Sequence, residues 1–271
     1  RILFFPHPNS GILEYFMKII VTHTSPDWDG ITSIWLIKKF LPGWEEAGFK
    51  FVPAGERLQG AEVAHENFRV HNAKKSITAN SKQEPANVHS ENFVGSPRQV
   101  IEKINSDEII HVDTGLGALD HHQTPSNKIC AASLTWNFVQ KENPDLANPE
   151  SERMEDKIKA ISRMVEIVVD IDHFRDVFWK DPTADYHEFS LLGLLDGLKF
   201  AKPNNDWYYV DFGVECLEAL LHELENRIWA EKEIETGIKF KIGKGIMKGP
   251  PSLKAPASQR GESARQGIAF E

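Results

Sequence analysis

Cysteine is scarce in this sequence. Two cysteines, Cys130 and Cys216, stand among 271 residues, too few for a disulfide framework. Both lie in apolar helical patterns and read as reduced packing residues, which fits a reducing compartment and a cytoplasmic protein. No apolar run approaches membrane-spanning length. Residues 1–16 lack the basic start and small-residue exit of a signal peptide. Interrupted by Pro6, Pro8 and Gly11, they read as an extension ahead of Met17, where the first strand pattern begins. Positive charge is in deficit as well: 31 Lys and Arg against 40 Asp and Glu leave a net charge of -9. An acidic surface argues against a sequence-independent grip on duplex nucleic acid, which needs an extended basic face. It leaves open a short single strand, or a small phosphoester held through metal ions.

What is present is an ordinary globular composition, 41% hydrophobic and 26% charged, on a chain long enough for one large domain or two smaller ones. Lys18 to Thr22 reads as a buried strand, its Ile-Ile-Val being β-branched and apolar. His23 to Gly30 follows as a loop, and a helical pattern then runs to Phe40 and ends at Pro42-Gly43. Phe49 to Pro53 reads as a second strand. Strand, loop, helix and strand in that order predict a parallel α/β sheet with its ligands beyond the carboxyl ends of the strands. Residues 61–95 are rich in Asn, Lys, Ser and His with weak periodicity, and His65, His71 and His89 are irregularly spaced, so the stretch reads as a solvated insertion. Pro97 to Ile104 reads as a helix, and Ile109 to Asp113 as the central strand, with Asp113 its last residue. Further helices are predicted over Lys128–Lys141, Glu150–Val169, Leu191–Phe200 and Phe212–Ile234, then a strand over Ile238–Ile242. The chain thus divides into an extension at 1–16, an α/β domain at 17–175, a helical region at 176–242 ending in the strand, and a poorly structured tail at 243–271.

Acids and histidines gather where these elements end. His23, Asp27 and Asp29 follow the first strand; Asp113 follows the central one; Asp120-His121-His122 follow a glycine turn; Asp170 and Asp172 close a helix. A carboxylate and two imidazoles crowded together need a counter-charge, and a divalent metal is the usual one. Each segment has a plainer explanation. Asp120 to His122 have the alternative of a polar surface turn, and Asp29 that of an N-cap for the helix it precedes. Asp170 and Asp172 are harder to explain so, because acids are disfavoured at a helix C-terminus.

Taken together, His23-x-x-x-Asp27-x-Asp29-Gly30, the lone Asp113 after an apolar strand, Asp120-His121-His122 and the later Asp172 resemble the four motifs of the DHH phosphoesterase superfamily. Asp120-His121-His122-Gln123 and Ile171-Asp172 are most similar to its melanocyte-proliferating-gene branch. The sequence departs from the branch in carrying His173-Phe174 where Asn-Gly follows the last aspartate, and it has no Gly-Gly-Gly-His element near its C-terminus.

The resemblance implies a DHH-type parallel-sheet domain with a smaller, mainly helical C-terminal part, and a metal-dependent hydrolase. It implies that His23, Asp27 and Asp113 bind one Mn²⁺ and that Asp29, Asp113, His121 and Asp172 bind a second, with Mg²⁺ an alternative. Asp113 would bridge the two ions. His122 would contact the scissile phosphate, and Asp120 would orient a neighbouring histidine. Hard oxygen and imidazole donors suit these ions, and no cysteine lies in the motifs. The expected reaction is phosphodiester hydrolysis, as a 3′–5′ exonuclease or oligonucleotidase on short single-stranded RNA or DNA, or on a small nucleotide phosphoester. Trp179, Tyr186 and Trp207 are candidates to stack on bases or to pack in the core. Phosphoanhydride hydrolysis and a non-catalytic scaffold for a protein partner are the alternatives.

Overall fold

Residues 17–59, 99–242, 245–249 and 269–270 are described by the computed structural model. In chain order they form β1 (Lys18–His23), α1 (Trp28–Phe40), β2 (Gly48–Val52), β3 (Glu102–Ile104) and β4 (Asp107–His111). Helices α2 (Ala131–Glu142), α3 (Pro144–Ala147), α4 (Glu152–Asp172), α5 (Leu191–Ala201) and α6 (Asp206–Thr236) follow, then β5 (Ile238–Ile242), β6 (Gly245–Gly249) and β7 (Ala269–Phe270). The expected extension at 1–16, the insertion at 61–95 and most of the tail lie outside the described residues. None of the described helices is long and apolar enough to cross a membrane.

The protein is mixed α/β. Its four-stranded sheet has the order β2-β1-β4-β3, with β1 parallel to both β2 and β4. The central strands are apolar on both faces, as expected of strands covered on either side. Ile19, Val21, Val52, Leu58 and Ile109 make one buried cluster. Helix α1 packs on α2, where Trp35, Phe40 and Trp136 meet edge to face. The Asn143 side chain donates to the Phe40 carbonyl at 2.8 Å and so closes the end of α1.

The sheet corrects two expectations. Part of the helix expected over Pro97–Ile104 is strand: Glu102, Lys103 and Ile104 pair antiparallel with β4, so the sheet is not wholly parallel. Glu and Lys favour helix, but pairing alongside β4 outweighs so short a propensity. Asn105, at φ 57°, turns the chain between the two strands. The second correction is at Asp113. The paired strand ends at His111, and Asp113 lies past it at φ 54°.

Residues divide into two compact units, each built from separate stretches: Arg1–Ala147 with Val165–Val214, and Asn148–Met164 with Glu215–Glu271. The units are discontinuous because α4 and α6 each run from one into the other, whereas the division expected at residue 175 is contiguous. Both helices are longer than expected: α4 continues through Asp172, and α6 begins at Asp206. In the second unit, Arg163 donates to both carboxylate oxygens of Glu231 at 3.0 and 2.6 Å. There too β5 pairs antiparallel with β6, and β6 with β7. The expected structureless tail therefore contains paired strands among its described residues.

Candidate metal centre

The end of β1 sets the first part of the site. His23 donates Nδ1–H to the Thr24 carbonyl at 2.9 Å, which turns its Nε2 toward Oδ2 of Asp113 at 3.1 Å. Burial opposes a charge on this ring, but the Asp113 hydrogen bond and the Asp113 and Asp27 charges outweigh it and raise its pKa to about 9. Asp27 caps α1: its Oδ1 accepts the amides of Asp29 and Gly30 at 2.9 and 3.2 Å. The capping role weighed for Asp29 on this helix thus belongs to Asp27. Gly30 lets these parts approach, because a Cβ there would lie 2.7 Å from Oγ1 of Thr22 and 3.4 Å from Oδ2 of Asp113.

Asp29 instead reaches 102 residues along the chain. Its Oδ2 accepts Ala131 N–H at 2.7 Å and its Oδ1 accepts Ala132 N–H at 2.6 Å, so it satisfies the start of α2. Burial, then the charges of Asp113, Asp27 and Asp172, push its carboxyl well above the usual range.

Asp113 is carried by a turn stitched at several points. Its amide donates to the Leu119 carbonyl at 3.0 Å, and Val112 bridges to Leu119. Gly115 and Leu116 take positive φ, 73° and 50°. From outside, Arg57 donates to the Gly115 carbonyl at 2.8 Å and also bonds Glu102. Oγ1 of Thr114 donates to the Glu56 carbonyl at 2.9 Å, and the Leu58 amide donates to Nε2 of His111 at 3.1 Å. A bulky residue at positive φ is uncommon, costs energy, and persists only where its surroundings impose it. Here these bonds impose it, and they fix where the Asp113 carboxylate lies. Burial raises its pKa to about 6, with His23 pulling the other way.

Within the same turn, Oδ2 of Asp120 accepts Leu116 N–H at 2.7 Å, and Oδ1 accepts both the amide and Nδ1–H of His122, at 3.0 and 2.7 Å. Burial would raise the Asp120 pKa; these hydrogen bonds overcome it and hold the group ionised. His122 is left with its ring largely exposed, and its pKa rises: burial resists, but the Asp120 bond and charge prevail.

His121 is where the segments meet. Its Nε2 lies 3.6 Å from Oδ2 of Asp29, 3.8 Å from Oδ1 of Asp113 and 3.5 Å from Oδ2 of Asp172. These separations exceed hydrogen-bond reach. Asp113 Oδ1, His121 Nε2 and Asp172 Oδ2 are buried without any hydrogen-bond partner, although buried polar atoms are paired as a rule. Donors about 2.1 Å from an ion lie roughly 3–3.4 Å apart, so a small inward movement would seat a divalent cation. Burial lowers the His121 pKa against the pull of Asp172, which keeps the ring neutral and able to donate a lone pair. Three sets have donor atoms within 4.8 Å of one another: His23, Asp27 and Asp113; Asp113, His121 and His122; and His121, Asp172 and His173, so Asp113 belongs to two of them.

Asp172, on the last turn of α4, is beside His121, whereas Asp170 turns away to Arg175 at 2.6 Å. One neighbour escaped the sequence reading. Nε2 of His173 lies 3.5 Å from Oδ2 of Asp172 and 2.9 Å from the Ile129 carbonyl, and His173 groups with His121 and Asp172. Its place next to Asp172 in the chain was the available signal. Of the aromatics considered for stacking, Trp207 packs on Phe49 and Phe51, with centroids 4.3 and 5.4 Å away. No family model, no curated protein and no solved structure matches this chain in the comparisons made.

Proposed function

We propose that the chain is a two-metal phosphoesterase of the DHH type, cleaving phosphodiester bonds in short RNA or DNA as a 3′–5′ exonuclease or oligonucleotidase in the cytoplasm. The observation that carries this reading is the meeting of three buried, unpartnered donor atoms, on Asp113, His121 and Asp172. They come from two distant stretches, the turn that carries Asp113 and His121 and the end of α4 that carries Asp172, and a divalent cation answers all three at once. The resemblance of the four motifs supplies the rest.

His23, Asp27 and Asp113 would hold one Mn²⁺, and Asp29, Asp113, His121 and Asp172 the other. Two such ions supply an activated water and offset the charge that develops on phosphate. The chain's own residues do the positioning. Asp27 and Asp29 are each fixed by helix-terminal amides. Asp120 locks the His122 tautomer with the proton on Nδ1, leaving Nε2 to meet a phosphate oxygen or the leaving group. A metal role for His122 through Nδ1 would require giving up that bond, so we assign it to the substrate.

The test is calorimetric titration of the full chain with Mn²⁺, followed by incubation of the loaded protein with bis(p-nitrophenyl) phosphate, short RNA, short DNA and pyrophosphate. Binding of two ions with hydrolysis of the diesters is expected. Failure to bind Mn²⁺, or hydrolysis of pyrophosphate alone, would overturn the reading.

A further inference from the structure

A cavity of about 340 Å³ opens beside the metal-site carboxylates, with Asp27, Asp29 and Asp172 on its wall. That volume is at the low end for small-molecule sites. The remainder of the wall is of another kind. Leu192 and Leu195 give it apolar surface, Asp176 and Asp196 contribute carboxylates, and Phe174 lies at its edge. No described Lys or Arg lines it. A second phosphate would meet only negative charge here. What fits is a flat, neutral group that donates hydrogen bonds.

Two further observations point to a ligand. Trp28 also lines the cavity; it is 4% exposed, and its indole N–H is buried without an acceptor. Buried indole N–H groups ordinarily find a partner. Phe174 is 78% exposed and holds φ 54°, ψ 30° two residues past the last residue of α4. That left-handed position past a helix end is one glycine fills without strain. A phenylalanine there keeps a strained backbone and a large apolar ring in water, a combination explained when the ring has something to stack on.

We propose that this cavity seats the base of the substrate's terminal nucleotide and selects guanine. Phe174 stacks on the base, the Asp176 and Asp196 carboxylates accept from guanine's N1–H and N2–H, and the Trp28 N–H donates to a ring acceptor. Adenine, cytosine and uracil lack that adjacent pair of donors on one edge, so the carboxylates discriminate while the stack does not. This rests on the phosphoesterase reading for its phosphate end, and it accounts for an apolar annex that a pyrophosphate hydrolase has no use for.

The experiment titrates the full chain with GMP, AMP, CMP and UMP in Mn²⁺, and with guanosine and adenosine without metal. GMP should bind at least about tenfold more tightly than the others, the low end for a bidentate base contact. In the Asp176→Asn, Asp196→Asn double variant that preference should fall to parity. Phe174→Gly should raise the melting temperature while weakening all four nucleotides alike, a pairing that a purely structural residue does not give. Equal binding of the four bases, no binding at all, or a guanine preference that survives the double variant would overturn the proposal. Hydrolysis of bis(p-nitrophenyl) phosphate, which has no base, separates the two readings. If it proceeds without base preference, only the seat fails. If guanosine binds selectively while neither Mn²⁺ binding nor hydrolysis occurs, only the phosphoesterase fails.

Discussion

Asp29 spans from the first turn of α1 to the start of α2, accepting the Ala131 and Ala132 amides at 2.7 and 2.6 Å. It therefore has two separable duties, one to α2 and one to a cation. Asp29→Ala should destabilise the metal-free protein by about 1–2 kcal/mol, the usual value of a lost helix cap, with relief of repulsion from Asp113 offsetting part of it. Asp29→Asn keeps a carbonyl oxygen for one amide and should cost less. Both should lose Mn²⁺. Denaturant titration in chelator checks the first duty, and an Ala variant as stable as wild type would refute it.

Asp113 is the one carboxylate found in two of the three donor groups. Asp113→Ala should abolish phosphodiester hydrolysis and weaken both ions while circular dichroism stays native. Activity retained with two ions bound would sink the shared role.

The adjacent histidines should part company. His121→Ala should lose the second ion, because its Nε2 faces three carboxylates. His122→Ala should keep both ions and lower turnover by about 10²–10⁴-fold, the range for a lost proton-transfer group. Equal metal loss in the two variants, read by elemental analysis, would show the division to be wrong. The same comparison applies at the end of α4, where Asp172→Asn should weaken Mn²⁺ binding much more than Asp170→Asn, whose side chain pairs with Arg175.

His111 offers a pH test away from catalysis. Burial first, then the Arg57 charge, lowers its pKa to about 3 from an ordinary 6.5. A depressed histidine pKa means the unfolded chain takes up the proton first. Its neutral-state stability is therefore complete above about pH 6.5 and is lost as pH falls toward 3. Relative to His111→Gln, wild type should lose about 2 kcal/mol between pH 7.5 and pH 5, at about 1.4 kcal/mol per unit below 6.5. Denaturation of both proteins in chelator across that range measures it, and a constant gap would refute it.

The first strand and the body of α1 were legible because Ile19-Ile20-Val21 and the apolar Ile31, Ile34, Trp35 and Ile37 are local signals, although α1 starts at Trp28, inside the stretch expected as loop. Residues two apart on a helix face different ways, so Asp170 and Asp172 could not both face one ion, and it was the Ile171-Asp172 pattern of the resemblance that pointed to Asp172. Less visible was anything decided at a distance. Glu102-Lys103-Ile104 carries no strand signal of its own and is strand only because β4 lies alongside. Asp29 reads as a cap for the helix it begins, and its actual amides are in a helix encoded a hundred residues later. Phe174 could be seen to replace a glycine, but the left-handed backbone it inherits is a property of the folded turn.

Cys130 packs with Ala132, Val168 and Val169, fully buried just ahead of α2 and against the final turns of α4. Burial, and then the neighbouring Asp29 charge, push its thiol up, out of reach of the thiolate form. Cys216, half-buried in α6, is the other thiol. The pair forms an internal stopwatch. With a thiol reagent in excess, half-buried Cys216 should react first, and the delay before Cys130 reacts should time the opening of its packing against Val168 and Val169, one turn ahead of Asp172.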